Sequence, residues 1–352
     1  MELNQMLQHM ASAGASDLHI KVGIPPLLRI NGDLLQSKLP PLTPDNIRSC
    51  VTSLLTPAQW QKFRNELELD LAYNLPGVGR FRVNVFQQRG SLGMVFRLIP
   101  ERIPSLDEMG FPAVLKEIAM RPRGLVLVTG PAGCGKSTTQ ASMIDHRNAN
   151  DPCHIMTVED PVEFLHSDKK AIVNQRELGQ DTLTFADALK YVLRQDPDVI
   201  LIGEMRDLET IQLAITAAET GHLVLATLHT TDAVQTIDRI IDVFPLHQQS
   251  QIRMQVAVNF VAVVSQILVK RADGRGRVAA FEVMVGTGAV RNLIREAKTY
   301  QLQSLIQTSI KQGMGTLNMS LAGLFKRNII TLDEAFSRTT DPDNLQQILK
   351  TQ

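Results

Sequence analysis

The segment Gly130-Pro-Ala-Gly-Cys-Gly-Lys-Ser-Thr138 decides how the larger part of this chain folds. It directly follows an apolar run, Leu-Val-Leu-Val-Thr at 125–129, and it matches the pattern G-x-x-x-x-G-K-[ST]. In that pattern a buried strand delivers the chain to a tight glycine turn, and a helix begins where the turn ends. The sequence therefore predicts a phosphate-binding loop between a buried strand and a helix.

Each part of the predicted loop has a chemical task. Backbone N–H groups at the start of the helix would face phosphate oxygens, and the helix dipole adds positive potential. Lys136 would place its charge on the terminal phosphates, while the Ser137 hydroxyl would bind Mg²⁺. We therefore expect a nucleoside triphosphate and Mg²⁺ at this loop. The residues expected to contact the nucleotide are Ala132, Gly133, Cys134, Gly135, Lys136, Ser137 and Thr138.

The composition limits the classes of protein and of partner. A chain of 352 residues, 44% of them hydrophobic, is long enough for two domains that each bury a core. Lysine plus arginine and aspartate plus glutamate both number 36, and only 5% of the residues are aromatic. Proteins that bind nucleic acids usually carry a basic excess or stacking aromatic residues, so no nucleic acid partner is expected.

The expected compartment is the cytoplasm. The N-terminus lacks the apolar core of a signal peptide. The longest apolar stretch, 256–269, is interrupted by polar residues and is too short to span a bilayer. The cysteines Cys50, Cys134 and Cys153 are widely spaced and form no C-x-x-C pair, which indicates neither a zinc site nor a disulfide framework.

A change in pattern near residue 100 predicts two domains. Residues 1–100 read as a small α+β domain, with a strand at 17–22, a hairpin that turns at Asn31-Gly32, and helices at 47–55 and 57–67. Alternation at 80–88 and 92–98 predicts two more strands, on which Phe81, Val83 and Val85 face a core. Prolines at 100 and 104 mark 101–106 as a linker.

The second predicted domain, 107–352, alternates strands and helices. Apolar strands are expected at 125–129, 155–158, 199–202 and 223–227, as in a parallel sheet with helices on both faces. Thr184 and Asp207 would cap two of the helices. The tail from about Ala289 reads as helices broken near Gly313 and Gly315. The predicted fold class is therefore α/β, with a smaller α+β domain at the N-terminus.

Carboxylates follow two of the predicted strands, at the edge where open parallel sheets bind ligands. The strand at 155–158 leads into Glu159, Asp160 and Glu163, and the strand at 199–202 leads through Gly203 to Glu204. Hydrolysis of a γ-phosphate needs a metal holder and a group that orients the attacking water. We assign Glu204 to Mg²⁺, directly or through water, and Glu163 to the water, although the spacing also allows the reverse. Glu159 and Asp160 are either nucleotide contacts or solvated loop residues or helix caps.

Two histidines flank the strand predicted at 223–227. His229 lies beyond its carboxyl end, where it could sense the γ-phosphate through a hydrogen bond. His222 lies before the strand and is a less direct candidate for nucleotide binding. A structural hydrogen bond is the alternative for each. Cys134 is a small residue inside the loop, and its oxidation or alkylation is expected to impair binding.

Arginines of the N-terminal domain are candidate catalytic residues. Arg80, Arg82 and Arg97 would project from adjacent strands. An arginine supplied by a neighbouring subunit can stabilise the charge on a transferred phosphate. The alternative is that they are solvated strand residues.

Several further motifs, in order along the chain, resemble those of the type II secretion and type IV pilus ATPases. The stretch 193–207, Leu-Arg-Gln-Asp-Pro-Asp-Val-Ile-Leu-Ile-Gly-Glu-Met-Arg-Asp, resembles the signature of that family. Thr-Val-Glu-Asp-Pro-Val-Glu at 157–163 resembles its Asp box, and the segment from Gly221-His222 to His229-Thr-Thr resembles its His box. Ala-Ser-Asp-Leu-His at 15–19 resembles its N-terminal domain. The resemblance covers nearly the whole chain.

Within the family, the chain is similar to the branch for pilus retraction, or twitching motility. It is short, it lacks the tetracysteine zinc insertion of other branches, and Ala-Val-Arg-Asn-Leu-Ile-Arg-Glu at 289–296 resembles a C-terminal motif linked with retraction. It departs from relatives at Ala132, Cys134 and Val290, where Thr, Ser and Ile are usual. None of these changes removes a group that hydrolysis needs.

The resemblance implies a PAS-like N-terminal domain, a RecA-like P-loop ATPase domain with a helical C-terminal part, and a homohexameric ring. Nucleotide would bind between the two domains, with arginines supplied by the small one. Arg194 and Arg206 would contact nucleotide or an adjacent subunit. The implied partners are the inner-membrane pilus platform protein, which would hold the cytoplasmic motor at the membrane, and a related accessory ATPase. The implied activity is ATP hydrolysis that powers pilus retraction.

The sequence alone also allows other functions. A pilus extension or type II secretion ATPase of the same family would keep every catalytic motif. A regulatory nucleotide-binding subunit of low activity is disfavoured by the presence of Lys136, Ser137, Glu163 and Glu204. A RecA-like nucleic-acid motor is disfavoured by the lack of a basic excess.

Overall fold

The computed structural model describes residues 2–30, 32–99 and 102–351. The described residues up to Arg102, together with Glu163–Leu165, form one compact unit, and the described residues from Ile103 onward otherwise form a second. The boundary falls within the segment 101–106, where the sequence predicts a linker. Three residues of the predicted hairpin turn and linker lie outside the described part: Asn31, Pro100 and Glu101.

The N-terminal unit combines helices with one antiparallel sheet. Its elements, within the described residues, are α1 (Leu3–Ser12), β1 (Asp17–Lys21), β2 (Leu27–Ile30), β3 (Asp33–Gln36), α2 (Pro44–Leu54), α3 (Pro57–Glu66), β4 (Glu68–Leu75), β5 (Gly79–Gln88) and β6 (Ser91–Ile99). The strands lie in the order β3-β2-β1-β6-β5-β4, and every neighbouring pair is antiparallel.

The hairpin, the two helices and the two alternating strands predicted for this unit are confirmed. On β5, Phe81, Val83 and Val85 are fully buried while Arg82 is exposed, because successive side chains of a strand point to opposite faces. Both α2 and α3 begin with a capping box and a proline in the first turn. The box satisfies backbone N–H groups that the helix itself leaves without partners.

The sequence interpretation missed α1 and β4. The signal for α1 is present, since its buried residues Leu3, Met6, Leu7 and Met10 recur with helical spacing along one face. In β4 the alternation is short: Leu69 and Leu71 are buried, and the strand continues through a half-buried Ala72 and Tyr73. Because polar residues lie on each side of this short alternation, the sequence pattern does not reveal the strand.

The second unit contains the remaining elements. They are α4 (Val114–Ala119), β7 (Gly124–Thr129), α5 (Lys136–Asn150), β8 (His154–Glu159), β9 (Ile172–Glu177), α6 (Phe185–Val192), β10 (Val199–Ile202), α7 (Leu208–Glu219), β11 (Leu223–Leu228), α8 (Ala233–Asp242), α9 (Leu246–Asn259), β12 (Phe260–Lys270), β13 (Arg277–Val285), α10 (Gly288–Arg295), α11 (Leu302–Thr308), α12 (Leu317–Lys326), α13 (Leu332–Arg338) and α14 (Pro342–Thr351).

The strands of this unit form one sheet in the order β13-β12-β7-β11-β10-β8-β9, parallel except for β13. The four strands predicted from the sequence are β7, β8, β10 and β11, and all are confirmed. On β7, Leu125 and Leu127 belong to one apolar cluster and Val126 to another, so both faces of the sheet are covered. This burial explains the unbroken apolar runs.

Three strands of this sheet, β9, β12 and β13, were not predicted. The apolar stretch 256–269 divides between the last turn of α9 and the buried strand β12. Periodicity cannot separate a buried strand from a buried helix in so short a run. In the described part of the chain, no helix combines the length and the apolar character that crossing a membrane requires.

The predicted helix starts and breaks of this unit are also confirmed. Thr184 accepts the N–H of Asp187 at the start of α6, and Asp207 accepts the N–H of Thr210 at the start of α7. The C-terminal tail is helical, and Gly313, at a φ of 80°, ends a short turn before α12 begins.

Candidate active site

The predicted phosphate-binding loop joins β7 to α5. β7 is buried along its whole length between β12 and β11, and α5 begins at Lys136. Gly135 precedes it with a φ of 90°, a left-handed conformation that favours glycine. The first N–H groups of a helix have no partner within it, and they carry the positive end of its dipole. The start of α5 is therefore suited to an anion such as phosphate.

Lys136 lies across the mouth of the loop. Its Nζ donates to the backbone carbonyl oxygens of Gly130, at 2.9 Å, and Pro131, at 3.1 Å. The same nitrogen lies 3.5 Å from Nδ1 of His229. Phosphate oxygens form stronger, charge-assisted hydrogen bonds with an ammonium group than neutral carbonyls do. A nucleotide phosphate can therefore replace these carbonyls as the acceptor of Lys136.

Glu204 follows β10 and is held between two other side chains. Its Oε1 lies 3.1 Å from Nε2 of His229, and its Oε2 accepts a hydrogen bond from Nη2 of Arg206 at 2.7 Å. The hydrogen bond from Arg206, opposed by partial burial, lowers the pKa of the Glu204 carboxyl. Glu204 is therefore an ionised carboxylate at neutral pH.

A connected line of side chains runs from the loop to the end of β10. It passes from Lys136 through His229 to Glu204 and ends at Arg206. β11 lies between β7 and β10, and it presents His229 just past its carboxyl end. The hydroxyl of Thr227 on β11 donates to the Gly203 carbonyl, which ties the two strand ends together. The structure thus brings together four residues that the sequence singled out separately.

Glu159 ends β8, the next strand beyond β10. Its Oε1 accepts hydrogen bonds from the Thr157 hydroxyl, at 2.7 Å, and from the Gln175 amide, at 3.2 Å. A Cβ added at Gly203 would lie 3.1 Å from the Cα of Glu159, so the two strand ends approach closely here. Glu159 therefore takes part in a hydrogen-bonded network at the strand ends.

Two predicted site residues of this unit precede strands, so they lie on the side of the sheet opposite to the phosphate-binding loop. His222 precedes β11, where its carbonyl accepts the N–H of Gly124 at the start of β7, and its Nδ1 lies 2.9 Å from the Ala217 carbonyl. Arg194 is exposed and lies shortly before β10 begins. The structure brings neither His222 nor Arg194 to the phosphate-binding loop of the same chain.

The other predicted site residues belong to the N-terminal unit. Glu163 is exposed and groups with that unit. Arg80 is half-buried on β5, and Arg82 is exposed opposite Arg97 of β6. Nε of Arg97 donates to Oδ1 of Asp17 at 2.8 Å, and Asp17 is only 4% exposed. A buried carboxylate requires such a partner, so Arg97 has a structural role within its own unit.

The sequence interpretation missed the residues behind the loop. Gln266 of β12 contacts both Cys134 and Thr139, and Ser265 lies 2.7 Å, oxygen to oxygen, from the hydroxyl of Thr129. The available signal was a Ser-Gln pair inside an otherwise apolar buried strand. Buried polar groups are hydrogen-bonded, so such a pair implies partners on a neighbouring element.

The oxygen ligands at the loop suit Mg²⁺ rather than a metal ion that is held entirely by protein side chains. Mg²⁺ prefers hydroxyl, carboxylate, phosphate and water oxygens, and it usually keeps several waters. Ser137 lies in the first turn of α5, and Glu204 offers an ionised carboxylate whose oxygens each retain a further acceptor position beside their present partner. Within the described residues no cluster of three His, Cys, Asp or Glu side chains could hold a metal.

Fold and site together define a class of protein. The central parallel strand β7 leads into a G-x-x-x-x-G-K-S loop. The acidic residue Glu204 follows β10, and β11 lies between β10 and β7. This is the arrangement of the RecA-like P-loop ATPases.

The comparisons with known proteins identify the family. Residues 1–284 match the family model "Type II/IV secretion system protein", and the chain belongs to this family. It is 49% identical to the "Type IV pilus retractation ATPase PilT" of Pseudomonas aeruginosa, over 98% of this chain and 100% of that protein. It is 48% identical to the "Twitching motility protein" of Neisseria gonorrhoeae, over 91% of this chain and 86% of that one.

A solved structure agrees with this assignment. The crystal structure of the pilus retraction motor PilT with bound ADP superposes with a TM-score of 0.93 at 45% identity, and the match covers 99% of each chain. The expected family, fold class and ATPase activity are therefore confirmed, and this chain is a nucleotide-binding ATPase of the family.

Proposed function

We propose that this chain is the motor ATPase of type IV pilus retraction. The supporting observation is the likeness to relatives named for that activity along the whole chain, combined with a complete loop, lysine and strand-end carboxylate. We further propose that it acts as a cytoplasmic homohexamer. It would be held at the inner membrane through the pilus platform protein, with a related accessory ATPase as a second partner.

The chain's own groups divide the chemistry between them. The N–H groups at the start of α5 and Lys136 bind the phosphates and stabilise the charge that develops on the γ-phosphate during transfer. Ser137 and Glu204 would hold Mg²⁺, which neutralises phosphate charge. Glu163 is the proposed group that orients the attacking water, and His229 the proposed sensor of the γ-phosphate. Loss of that phosphate removes contacts that favour one of two conformations, which converts hydrolysis into movement.

Complementation tests the direction of pilus movement. Expressed in a Pseudomonas aeruginosa strain that lacks its own PilT, the wild-type gene is expected to restore twitching, and the Lys136→Ala variant is not. Cells that cannot retract keep their pili but do not move, whereas cells that cannot extend are bald. Restored piliation of an extension-deficient strain, without restored twitching in the retraction-deficient one, would establish the extension alternative.

Phosphate release by the purified protein tests the motor against a regulatory subunit. Wild type is expected to release phosphate from ATP, and Glu163→Gln is expected to bind nucleotide but release little. If both proteins release phosphate only at background rates, the regulatory subunit becomes the better interpretation. DNA is not expected to stimulate the release.

Mixing experiments test whether arginines act across subunits. An arginine variant is mixed with a hydrolysis-dead Lys136→Ala subunit, because activity then returns only if one composite site contains both intact groups. Arg82→Ala is the cleaner variant, since Arg82 is exposed. Arg97→Ala also leaves the buried Asp17 carboxylate without its nearest cation, so its thermal stability is measured in parallel.

A further inference from the structure

Gln266 occupies the space directly behind the phosphate-binding loop. β12 runs parallel to β7, and its Ser265 is paired with Thr129, the last residue of β7. Gln266 therefore comes level with Gly130, where the loop leaves the sheet. Its side chain is only 2% exposed. An amide buried to this degree requires partners for both its oxygen and its nitrogen.

Both ends of the Gln266 amide are used. The Thr139 hydroxyl donates to Oε1 at 2.7 Å, and Nε2 donates to the backbone carbonyl of Cys134 at 2.7 Å. A carbonyl oxygen can only accept, so the contact with Cys134 fixes which end of the amide faces the loop. One side chain thus connects the loop backbone to the first turns of α5.

The glycines of the loop are packed against the same residue. A Cβ at Gly135 would lie 3.2 Å from Nε2 of Gln266. A Cβ at Gly130 would overlap the Gln266 backbone carbonyl and come within 2.7 Å of the Cys134 sulfur. The loop therefore packs closely against the backbone and the side chain of Gln266, which lies more than 120 residues further along the chain.

We propose that Gln266 is a positioning residue of the nucleotide site: its amide holds the Cys134 carbonyl back so that the loop N–H groups stay turned towards the phosphates. The proposal deepens the ATPase function proposed above and rests on it. Without the amide, the Cys134 carbonyl loses its partner and the loop samples conformations that do not accept phosphate. The apparent affinity then equals the intrinsic affinity multiplied by the fraction of molecules that remain competent to bind.

Substitution of Gln266 is expected to weaken nucleotide binding more than it slows the chemical step. Gln266→Met keeps the length of the side chain but removes both hydrogen bonds. We expect it to bind ADP about ten-fold more weakly, the equivalent of about 1.4 kcal/mol. Gln266→Glu retains the acceptor for Thr139 but sets an oxygen against the Cys134 carbonyl, so its affinity should be at least as low. KM for ATP should rise by a similar factor, with a smaller change in kcat.

Matched variants separate positioning from stability. Ser265→Ala removes the neighbouring buried hydrogen bond to Thr129 but leaves the loop carbonyl untouched, so ADP affinity should stay within about two-fold of wild type. Thr139→Val frees the far end of the amide and should weaken ADP binding, while Thr139→Ser restores the hydroxyl and the affinity. Thermal melts of all variants check that each protein is folded.

The Cys134 thiol offers a second readout. It is buried, and burial raises its pKa, so it should react slowly with an alkylating reagent in the wild type. Gln266→Met should speed alkylation of Cys134, measured by mass spectrometry of the peptides, while the rates at Cys50 and Cys153 stay unchanged. Bound ADP should slow the reaction at Cys134.

The outcomes distinguish this inference from the proposed function. If Gln266→Met binds ADP as wild type does, or if Ser265→Ala weakens binding equally, Gln266 is only a structural residue and the inference is wrong. If wild type binds ADP but hydrolyses no ATP, the motor function fails while the role of Gln266 in binding stands.

Discussion

Gly130→Ala and Gly133→Ala form a matched pair that tests how the loop is held. Gly130 has a φ of 139°, and a Cβ there would overlap the Gln266 carbonyl and approach the Cys134 sulfur to 2.7 Å. Gly133 has a φ of 72°, but a Cβ there would meet no atom of the described residues within 4 Å. Both positions resist an L side chain, and only Gly130 is also sterically closed.

The expected losses of stability follow from the backbone angle and from the space that is available to an added Cβ. A non-glycine residue at such a backbone angle costs about 1–3 kcal/mol, and forcing an extra methyl into a packed site costs about 1–3 kcal/mol more. We therefore expect Gly130→Ala to lower the free energy of unfolding by about 4 kcal/mol, against about 2 kcal/mol for Gly133→Ala.

Thermal melts measure this difference. In a domain of this size each kcal/mol moves Tm by about 2–4 °C, so the expected shifts are roughly 8–16 °C for Gly130→Ala and roughly 4–8 °C for Gly133→Ala. ADP titration of the folded variants should show the larger loss of affinity at Gly130. Equal Tm shifts for the two variants would refute the close packing of the loop against β12.

The remaining predictions concern individual charged groups. Lys136→Ala should weaken ADP binding by roughly ten- to hundred-fold, since a hydrogen bond to a charged group contributes about 1.5–3 kcal/mol; calorimetry measures it. Glu204→Ala should bind nucleotide but fail to turn over, so normal phosphate release would exclude its role. Glu282 of β13 is buried, it accepts the N–H of Ala233 at 2.9 Å, and burial raises its pKa. The folded state therefore releases this proton at higher pH than the unfolded state does, so Glu282 costs stability as pH rises above the ordinary value of 4.5. Glu282→Gln should unfold at higher urea concentration than wild type at pH 7, with the gap closing near pH 4.

The sequence predicts the phosphate side of the site well because that chemistry is local. Strand, glycine turn, lysine and helix are consecutive, so the pattern at 130–138 determines the position of Lys136 and Ser137. Glu204 was found by a second local rule, since ligands bind at the carboxyl ends of parallel strands. Helix caps such as Thr184 and Asp207 are also determined within three or four residues.

The support behind the loop could not be predicted in the same way. Gln266 reaches Cys134 and Thr139 only because β12 lies beside β7, and the sequence interpretation did not identify β12 as a strand. Strand order is a property of the whole sheet, and no short pattern encodes it. His222 and His229 are close in sequence, but β11 separates them by its full length, which agrees with His222 being the less direct candidate for nucleotide binding.

The partners of Glu204 suggest how the site responds to its substrate. Arg206 and His229 each hold one carboxylate oxygen, and His229 also faces the Lys136 ammonium. A triphosphate would bring several negative charges to Lys136, whose ammonium would then exchange the Gly130 carbonyl for phosphate oxygens and change the environment of the imidazole. His229 contacts both Lys136 and Glu204, so we expect a change at the phosphates to reach the acidic residue through these two contacts. The hydrogen bond from Arg206 lowers the pKa of Glu204, so the carboxylate is available to a cation at neutral pH. We therefore propose that the cluster links recognition of the γ-phosphate to the geometry of the proposed metal ligand through contacts within this unit.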